Sequence, residues 1–258
     1  MFTPDEREQL RAQLSSAAQS DPRLTGAAHL GSAALGRQDG WSDIDLALCL
    51  SRDAAFEDIV GDWTERLYRC GAVTHLDVRR GAILYRVFLL ENTLQIDISF
   101  WPAADFRATG EKFKLIFGTP NHPSPTPPPA AGDLIGMAWL YALHVRSALA
   151  RNRLLQAEYM LSGMRNETLS LACLRHGLVA IQGRGLDDLP HDLRERLPRC
   201  FPHSLAADRL RSCFRAATHL LLEEIEHADS PLAAKLRGPL VELCDSSSPR
   251  DGRTRGTP

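Results

Sequence analysis

Asp43 and Asp45 are separated by one residue and stand at the start of an apolar run. They follow the pair Gly31-Ser32, and Asp43 lies eleven positions after Ser32. Because side chains alternate faces along a strand, a strand here puts both carboxylates on one side and Ile44 on the other, toward a core. Two carboxylates on one face repel each other unless a cation lies between them. Mg²⁺ suits this position, since it takes hard oxygen ligands and shares them with substrate phosphates.

Gly31 and Ser32 have the properties of a phosphate-binding turn. Glycine lets the backbone approach a phosphate closely, and the serine hydroxyl can donate a hydrogen bond to it. Ser42, directly before the aspartate pair, is expected to brace its turn through its hydroxyl. The alternative interpretation is a glycine turn followed by a strand that carries two solvated acids.

The order Gly-Ser, spacer, Asp-x-Asp in residues 31–45 resembles the nucleotidyltransferase superfamily built around DNA polymerase β, which includes the antibiotic nucleotidyltransferases. The resemblance implies Mg²⁺-dependent transfer of a nucleoside monophosphate, AMP from ATP or the equivalent from another NTP, to a hydroxyl of a small molecule such as an aminoglycoside or lincosamide antibiotic. It also implies that Asp43 and Asp45 bind the metal and that Gly31, Ser32 and Ser42 contribute to the nucleotide site.

A third carboxylate is implied on a neighbouring strand, as a metal ligand, as the general base for the acceptor hydroxyl, or as both. Asp97 lies between two isoleucines, where an aspartate is costly unless it faces a cleft. We expect Asp97 to complete the catalytic and metal-binding set with Asp43 and Asp45. Two alternatives remain open: Asp97 lies on the solvent face of an edge strand, or Asp77 is the third acid.

The order of the predicted elements, together with the resemblance, indicates an α/β domain with a mixed sheet followed by an all-α helical bundle. Strand-like runs rich in Val, Ile, Leu and Phe dominate the first part, and a proline-rich stretch that can form neither helix nor central strand separates it from the second. The predicted boundaries are 1–117 for the nucleotidyltransferase domain, 118–131 for the linker, 132–245 for the helical substrate-binding domain and 246–258 for a disordered tail.

Glu158 and Arg165 are the candidate substrate contacts of the helical half. They lie seven residues apart on one predicted helix face, and Glu158 stands in a nearly apolar window. A carboxylate there suits a cationic acceptor, and an arginine suits a phosphate or the acceptor. The alternative is that the two side chains face solvent or pair with other helices.

Composition limits the classes of protein that this chain can represent. With 258 residues, a net charge of −2 and 24% charged residues, it reads as a globular protein with no bulk positive charge for nucleic-acid binding. No apolar run is long enough for a membrane span, and the acidic N-terminus lacks the pattern of a signal peptide. The six scattered cysteines form no metal motif, so we expect a cytoplasmic protein; its oligomeric state is left open.

Two other functions stay open at this stage. One is a nucleotidyltransferase that modifies a protein or an RNA, as in toxin–antitoxin systems, although the attached helical half argues against it. The other is a nucleotide-binding regulatory module that has lost catalysis, which predicts the loss of one of the three acids.

Overall fold

The computed structural model describes residues 1–247, and the chain in it forms two compact units, Met1–Thr126 and a second that begins at Pro127. The first unit contains a six-stranded sheet with helices, and the second is all-helical. The predicted fold class is therefore confirmed. The part of the predicted tail from 248 to 258 lies outside the described residues.

The first unit is built on one mixed sheet with the strand order β3-β4-β5-β2-β1-β6. Strands β2 and β5 run parallel, and the other neighbouring pairs are antiparallel. The elements in chain order are α1 (Pro4–Ser20), β1 (Leu24–Leu30), α2 (Gly31–Ala34), β2 (Ile44–Leu50), α3 (Phe56–Arg69), β3 (Ala72–Arg80), β4 (Ile83–Leu90), β5 (Gln95–Pro102) and β6 (Phe113–Gly118).

Helices α1 and α3 cover one face of the sheet. Helix α1 begins at a capping box, in which the Thr3 side chain accepts from the Glu6 amide and Glu6 accepts from the Thr3 amide. Leu14 and Ala18 of α1 and Trp63 of α3 pack against alternate residues of the central strands in one buried cluster. We call this the helix face of the sheet.

The opposite face of the sheet, which we call the open face, carries the other set of alternating side chains. At one end it is closed by a small apolar cluster that includes Trp101, Phe106 and Phe113. Asp45 and Asp97 belong to this face, because Ile44, Leu46, Ile96 and Ile98 are all buried in the cluster on the helix face. The predicted alternation around both aspartates is thereby confirmed.

Strand β6 was not predicted, and the proline-rich stretch after it is bonded to the first unit. The prolines from Pro120 onward argue against a strand in this part of the sequence, and the pairing of β6 with β1 is visible only in three dimensions. The amides of Asn121, Ser124 and Thr126 donate to the carbonyls of Phe106, Ala108 and Thr109. Residues 121–126 thus follow the surface of the first unit as an extended strap.

Up to residue 247, the second unit packs five α-helices around one apolar core: α4 (Ala131–Ala150), α5 (Leu154–Arg175), α6 (His191–Arg196), α7 (Ala207–Ala228) and α8 (Ser230–Asp245). The short helix α6 falls in the interval 182–202, where glycines and prolines predict only loop. Arg175 and the buried Glu224 form a bidentate ion pair between α5 and α7, with both bonds at 2.8 Å. Within residues 1–247, no helix combines the length and the apolarity that crossing a bilayer requires.

Candidate active site

The centre of the site is the pair Asp45 and Asp97, which lie side by side on the parallel strands β2 and β5. Their Cα atoms are direct partners in the strand register. Side chains of such partners project from the same face, about 5 Å apart at the strand spacing of a sheet. The two carboxylates thus meet although 52 positions separate them, which no local pattern could have established.

Asp43 lies one residue before β2, next to this pair. Its Oδ2 accepts a hydrogen bond of 3.3 Å from Nε2 of Gln95, on the neighbouring strand β5. Its negative charge contributes to the electrostatics of Asp97. The structure therefore brings all three predicted aspartates to the same end of β2 and β5.

Asp97 has a strongly raised pKa. Burial, and then the negative charge of Asp43, raise its pKa to about 6, while Arg80 acts in the opposite direction. Its Oδ1 is buried and has no hydrogen-bond partner in the described protein. A buried carboxylate oxygen without a donor is costly, so this atom is suited to a ligand or a proton that the folded chain does not supply.

Gly31 is favoured at its position by its backbone angle and by the closeness of the Asp45 carboxylate. Its φ of +61° lies in the left-handed region that L-residues rarely adopt, and a Cβ built there would stand 1.9 Å from Oδ2 of Asp45. The glycine therefore makes room for the carboxylate. We had expected it to make room for a phosphate, and the structure supplies this additional reason.

Ser32 and Ser42 differ in how their hydroxyls are engaged. The Ser32 Oγ is buried and has no partner among the described protein atoms. The Ser42 Oγ donates to Oδ1 of Asp39 at 2.9 Å and accepts from the Asp39 amide at 3.0 Å. Ser42 thus braces the turn before the aspartate pair as predicted, while its part in nucleotide binding stays a prediction. Trp41, in the same turn, is 79% exposed and is not a core residue.

Arg7, which the sequence analysis did not single out, anchors that turn to helix α1. It is only 5% exposed, and its Nη1 donates to the backbone carbonyls of Asp39 and Ser42. The spacing along the sequence indicates this position: Leu14 and Ala18 follow Arg7 by seven and eleven residues and lie with it on the buried face of the helix. An arginine on the buried stripe of a helix needs acceptors, and the carbonyls of this turn supply them.

Asp77, the alternative third acid, lies on the wrong face of the sheet. Its two carboxylate oxygens accept from Nε and Nη2 of Arg86 at 2.6 and 2.7 Å, and the same guanidinium reaches Thr64 of α3. This ion pair lowers the pKa of Asp77. Asp77 therefore stands on the helix face, opposite the face that carries Asp97.

Glu158 and Arg165 are connected through Ser162 within the helical unit. The Ser162 hydroxyl donates to Glu158, and Nη2 of Arg165 donates to Ser162. Arg165 is 7% exposed, also donates to the Cys200 carbonyl, and stacks on Phe201 with its guanidinium carbon 4.1 Å from the ring centroid. These contacts match the pairing alternative named above, and a substrate role for either side chain stays a prediction.

The donor set of the site suits a hard divalent cation. Three carboxylates lie at one end of β2 and β5, and one buried carboxylate oxygen has no partner in the described protein; oxygen ligands of this kind are the ones that Mg²⁺ prefers. In residues 1–247, however, no three His, Cys, Asp or Glu side chains already stand in an arrangement that could hold a metal ion. Holding one ion with all three aspartates would therefore require their side chains to rearrange.

Comparison with known proteins gives distant likenesses only. No protein-family profile and no curated protein sequence matches the chain. An aminoglycoside 6-adenyltransferase from Bacillus subtilis superposes with a TM-score of 0.39 at 13% identity, covering 92% of this chain and 98% of that one. The Cid1 poly(U) polymerase gives 0.31 at 20% identity over 38% of this chain and 32% of that one.

A cytoplasmic RNA terminal U-transferase gives a TM-score of 0.28 at 17% identity, covering 83% of this chain and 66% of that one. All three of these similar structures are members of the nucleotidyltransferase superfamily, the superfamily that the sequence motif resembles. At these scores the likenesses carry no argument about the reaction, so the case for a function has to come from the site itself.

Proposed function

We propose that the protein is a nucleotidyltransferase that moves AMP from ATP, or the corresponding group from another NTP, to a hydroxyl of a small molecule. The observation that carries this proposal is the register pairing of Asp45 with Asp97, with Gly31 packed against Asp45. Two adjacent carboxylates beside a glycine turn combine a place for a divalent cation with a backbone that a polyphosphate can approach.

The residues divide the work of the reaction. The acceptor oxygen attacks the α-phosphorus as its O–H bond breaks, a new P–O bond forms, the α–β bridge breaks, and pyrophosphate leaves. Asp97 is suited to take the hydroxyl proton on Oδ1, because that buried oxygen has no hydrogen-bond partner in the described protein. Asp43 and Asp45 would hold Mg²⁺, with Asp97 as the third ligand. Bound there, the ion would stabilise the negative charge on the phosphate oxygens.

Gly31 and Ser32 would bind the phosphates on the other side of Asp45. The Ser32 hydroxyl is a buried donor without a protein partner, which a phosphate oxygen would satisfy. Ser42 and Arg7 contribute indirectly, since both fix the turn that leads into Asp43. These side chains position the carboxylates and need not touch the nucleotide.

The experiment that tests the proposal uses ATP labelled in two positions. The protein is incubated with Mg²⁺, a panel of hydroxyl-bearing antibiotics and either [α-³²P]ATP or [γ-³²P]ATP, and products are separated by chromatography. A nucleotidyltransferase labels an acceptor from the α-position only and releases pyrophosphate. Label that enters from the γ-position would instead indicate a kinase. Calorimetry that detects no binding of Mg-ATP, Mg-GTP, Mg-CTP or Mg-UTP would exclude both a nucleotidyltransferase and a nucleotide-binding regulatory module.

The control variant is Asp45→Asn, which is nearly isosteric and removes one negative charge. We expect this variant to retain its fold and to lose Mg²⁺-dependent ATP binding and transfer. Wild-type turnover in Asp45→Asn would remove the aspartate pair from the mechanism.

A further inference from the structure

The open face of the sheet continues past Asp97 as an exposed apolar surface. The register of the strands forms one row of partners across four strands: Leu76 of β3 lies beside Val87 of β4, Val87 beside Asp97, and Asp97 beside Asp45. A second row places Val78 beside Tyr85. Direct partners share a face, so the apolar side chains of β3 and β4 border the carboxylates without interruption.

These side chains are exposed in spite of their apolar character. Leu76 is 63% exposed, Leu89 is 46% exposed and Val78 is 38% exposed, and Val87 is half-buried. A contiguous exposed apolar surface next to a reactive centre is a common mark of a ligand-binding area. We call Leu76, Val78, Val87 and Leu89 the apolar strip.

Within β3 and β4, the charge on the open face is positive. On the open face of β3 and β4, the one ionised side chain in the described register is Arg80, whose guanidinium carbon lies 5.7 Å from the Tyr85 ring centroid. Asp77 faces the helices and is paired with Arg86. A polycationic acceptor would therefore meet an arginine here and, apart from the catalytic carboxylates, no acid of these two strands.

The order of the strands separates the two substrates of the proposed reaction. Gly31 contacts Asp45 from the β1 side, whereas the apolar strip borders Asp97 from the β4 side. At a strand spacing of about 4.8 Å, Leu76 lies about 10 Å from Asp97, roughly the length of one or two sugar rings. In the proposed reaction, the nucleotide would lie on the Gly31 side, which leaves the side of the apolar strip to the acceptor.

We propose that the apolar strip binds the acceptor, and that the acceptor is a hydroxyl compound with an apolar face and at most one positive charge, not a polycation. This inference rests on the proposed nucleotidyl transfer and names the class of its second substrate. The hydroxyl lies at Asp97 while the apolar face covers Val87 and Leu76. The inference concerns the first unit only and is independent of Glu158.

The test uses two commercially available probes of opposite chemistry. Lincomycin carries hydroxyls, alkyl groups and one basic nitrogen, and kanamycin is a polycation with no comparable apolar face. With Mg²⁺ and [α-³²P]ATP, we expect label on lincomycin and little on kanamycin. Leu76→Ser should raise the KM for lincomycin roughly tenfold, the scale of losing a few apolar contacts in a binding site, with unchanged affinity for Mg-ATP.

Two further variants make the result specific to the strip. Leu155→Ser removes another strongly exposed leucine, 74% accessible, from the helical unit and should leave every parameter unchanged. Leu76→Glu should shift transfer toward kanamycin by adding a carboxylate where the wild type has none.

The outcomes separate this inference from the proposed function. Preferential labelling of kanamycin or of an RNA oligonucleotide, a Leu76→Ser variant with wild-type KM, or Mg-ATP binding without transfer to lincomycin would each overturn the acceptor assignment and leave the nucleotide site intact. A wild-type protein that binds none of Mg-ATP, Mg-GTP, Mg-CTP and Mg-UTP would overturn the proposed function itself, and with it the acceptor role of the strip.

Discussion

The substitution Gly31→Ala isolates the contact on which the site's geometry depends. The new methyl group would lie 1.9 Å from Oδ2 of Asp45, whereas side-chain Cβ atoms essentially never approach another heavy atom within 3.0 Å. The carboxylate would have to retreat by roughly 1 Å, a displacement that can cost about a hundredfold where reacting groups must be aligned. The left-handed φ of +61° adds a strain of about 1–2 kcal/mol for any L-residue.

Gly36→Ala is the matched control, because Gly36 has nearly the same backbone angle, φ +64°, and no atom within 4 Å of the added Cβ. Both variants should lose about 1–2 kcal/mol of unfolding free energy from backbone strain. Only Gly31→Ala should also weaken Mg-ATP binding, by about 10–100-fold, as expected when a metal ligand is displaced.

Urea unfolding measures the strain in the two variants, and calorimetry with Mg-ATP measures the site. Equal Mg-ATP affinities in Gly31→Ala, Gly36→Ala and wild type would refute the reasoning, since the clash with Asp45 would then have no consequence for the nucleotide. A loss of affinity that is the same in both variants would assign the effect to backbone strain.

Three further predictions concern other charged groups of the two units. Burial raises the pKa of Asp97 above its value in the unfolded chain, so the charge of Asp97 destabilises the fold increasingly as pH rises from about 4 through 6. Chemical denaturation should therefore show Asp97→Asn to be more stable than wild type by about 1–3 kcal/mol at pH 8 and equally stable near pH 4. The transfer assay should show that this variant is inactive. Arg7→Met should weaken Mg-ATP binding several-fold through the turn before Asp43, and Arg7→Lys should restore part of it; calorimetry showing wild-type affinity in Arg7→Met would contradict the positioning role. Arg175→Met should lower the unfolding free energy by about 2–4 kcal/mol, because it leaves the Glu224 carboxylate, which is 2% exposed, without its partner. The affinity for Mg-ATP should not change in this variant. A loss below about 1 kcal/mol in urea unfolding would contradict this prediction.

The sequence predicted those parts of the site that depend on local periodicity. Alternation put Asp45 and Asp97 on one side of their strands and the isoleucines on the other, and a turn residue before Asp43 was expected to brace it. These features depend on a period of two and on side chains a few positions apart, so they can be derived from a single segment.

Other parts of the site depend on contacts between distant segments. The pairing of Asp45 with Asp97 follows from the sheet order, in which β5 lies between β4 and β2. Asp77 is separated from them by the register, which places it beside Arg86 on the helix face. Strand β6 was missed because its evidence is its pairing with β1. The reason for glycine at position 31 was incomplete for the same cause, since Asp45 lies fourteen positions away.

The measurement that tests the central claim most directly is the location of a bound metal. The crystals would be grown with Mn²⁺ and a non-hydrolysable ATP analogue and measured at the manganese absorption edge. We expect an anomalous peak between the carboxylates of Asp45 and Asp97. Asp43 should have turned from Gln95 toward the ion, and the triphosphate should lie on the Gly31 side. Nucleotide bound with no metal at these aspartates, or a peak elsewhere in the chain, would contradict the account.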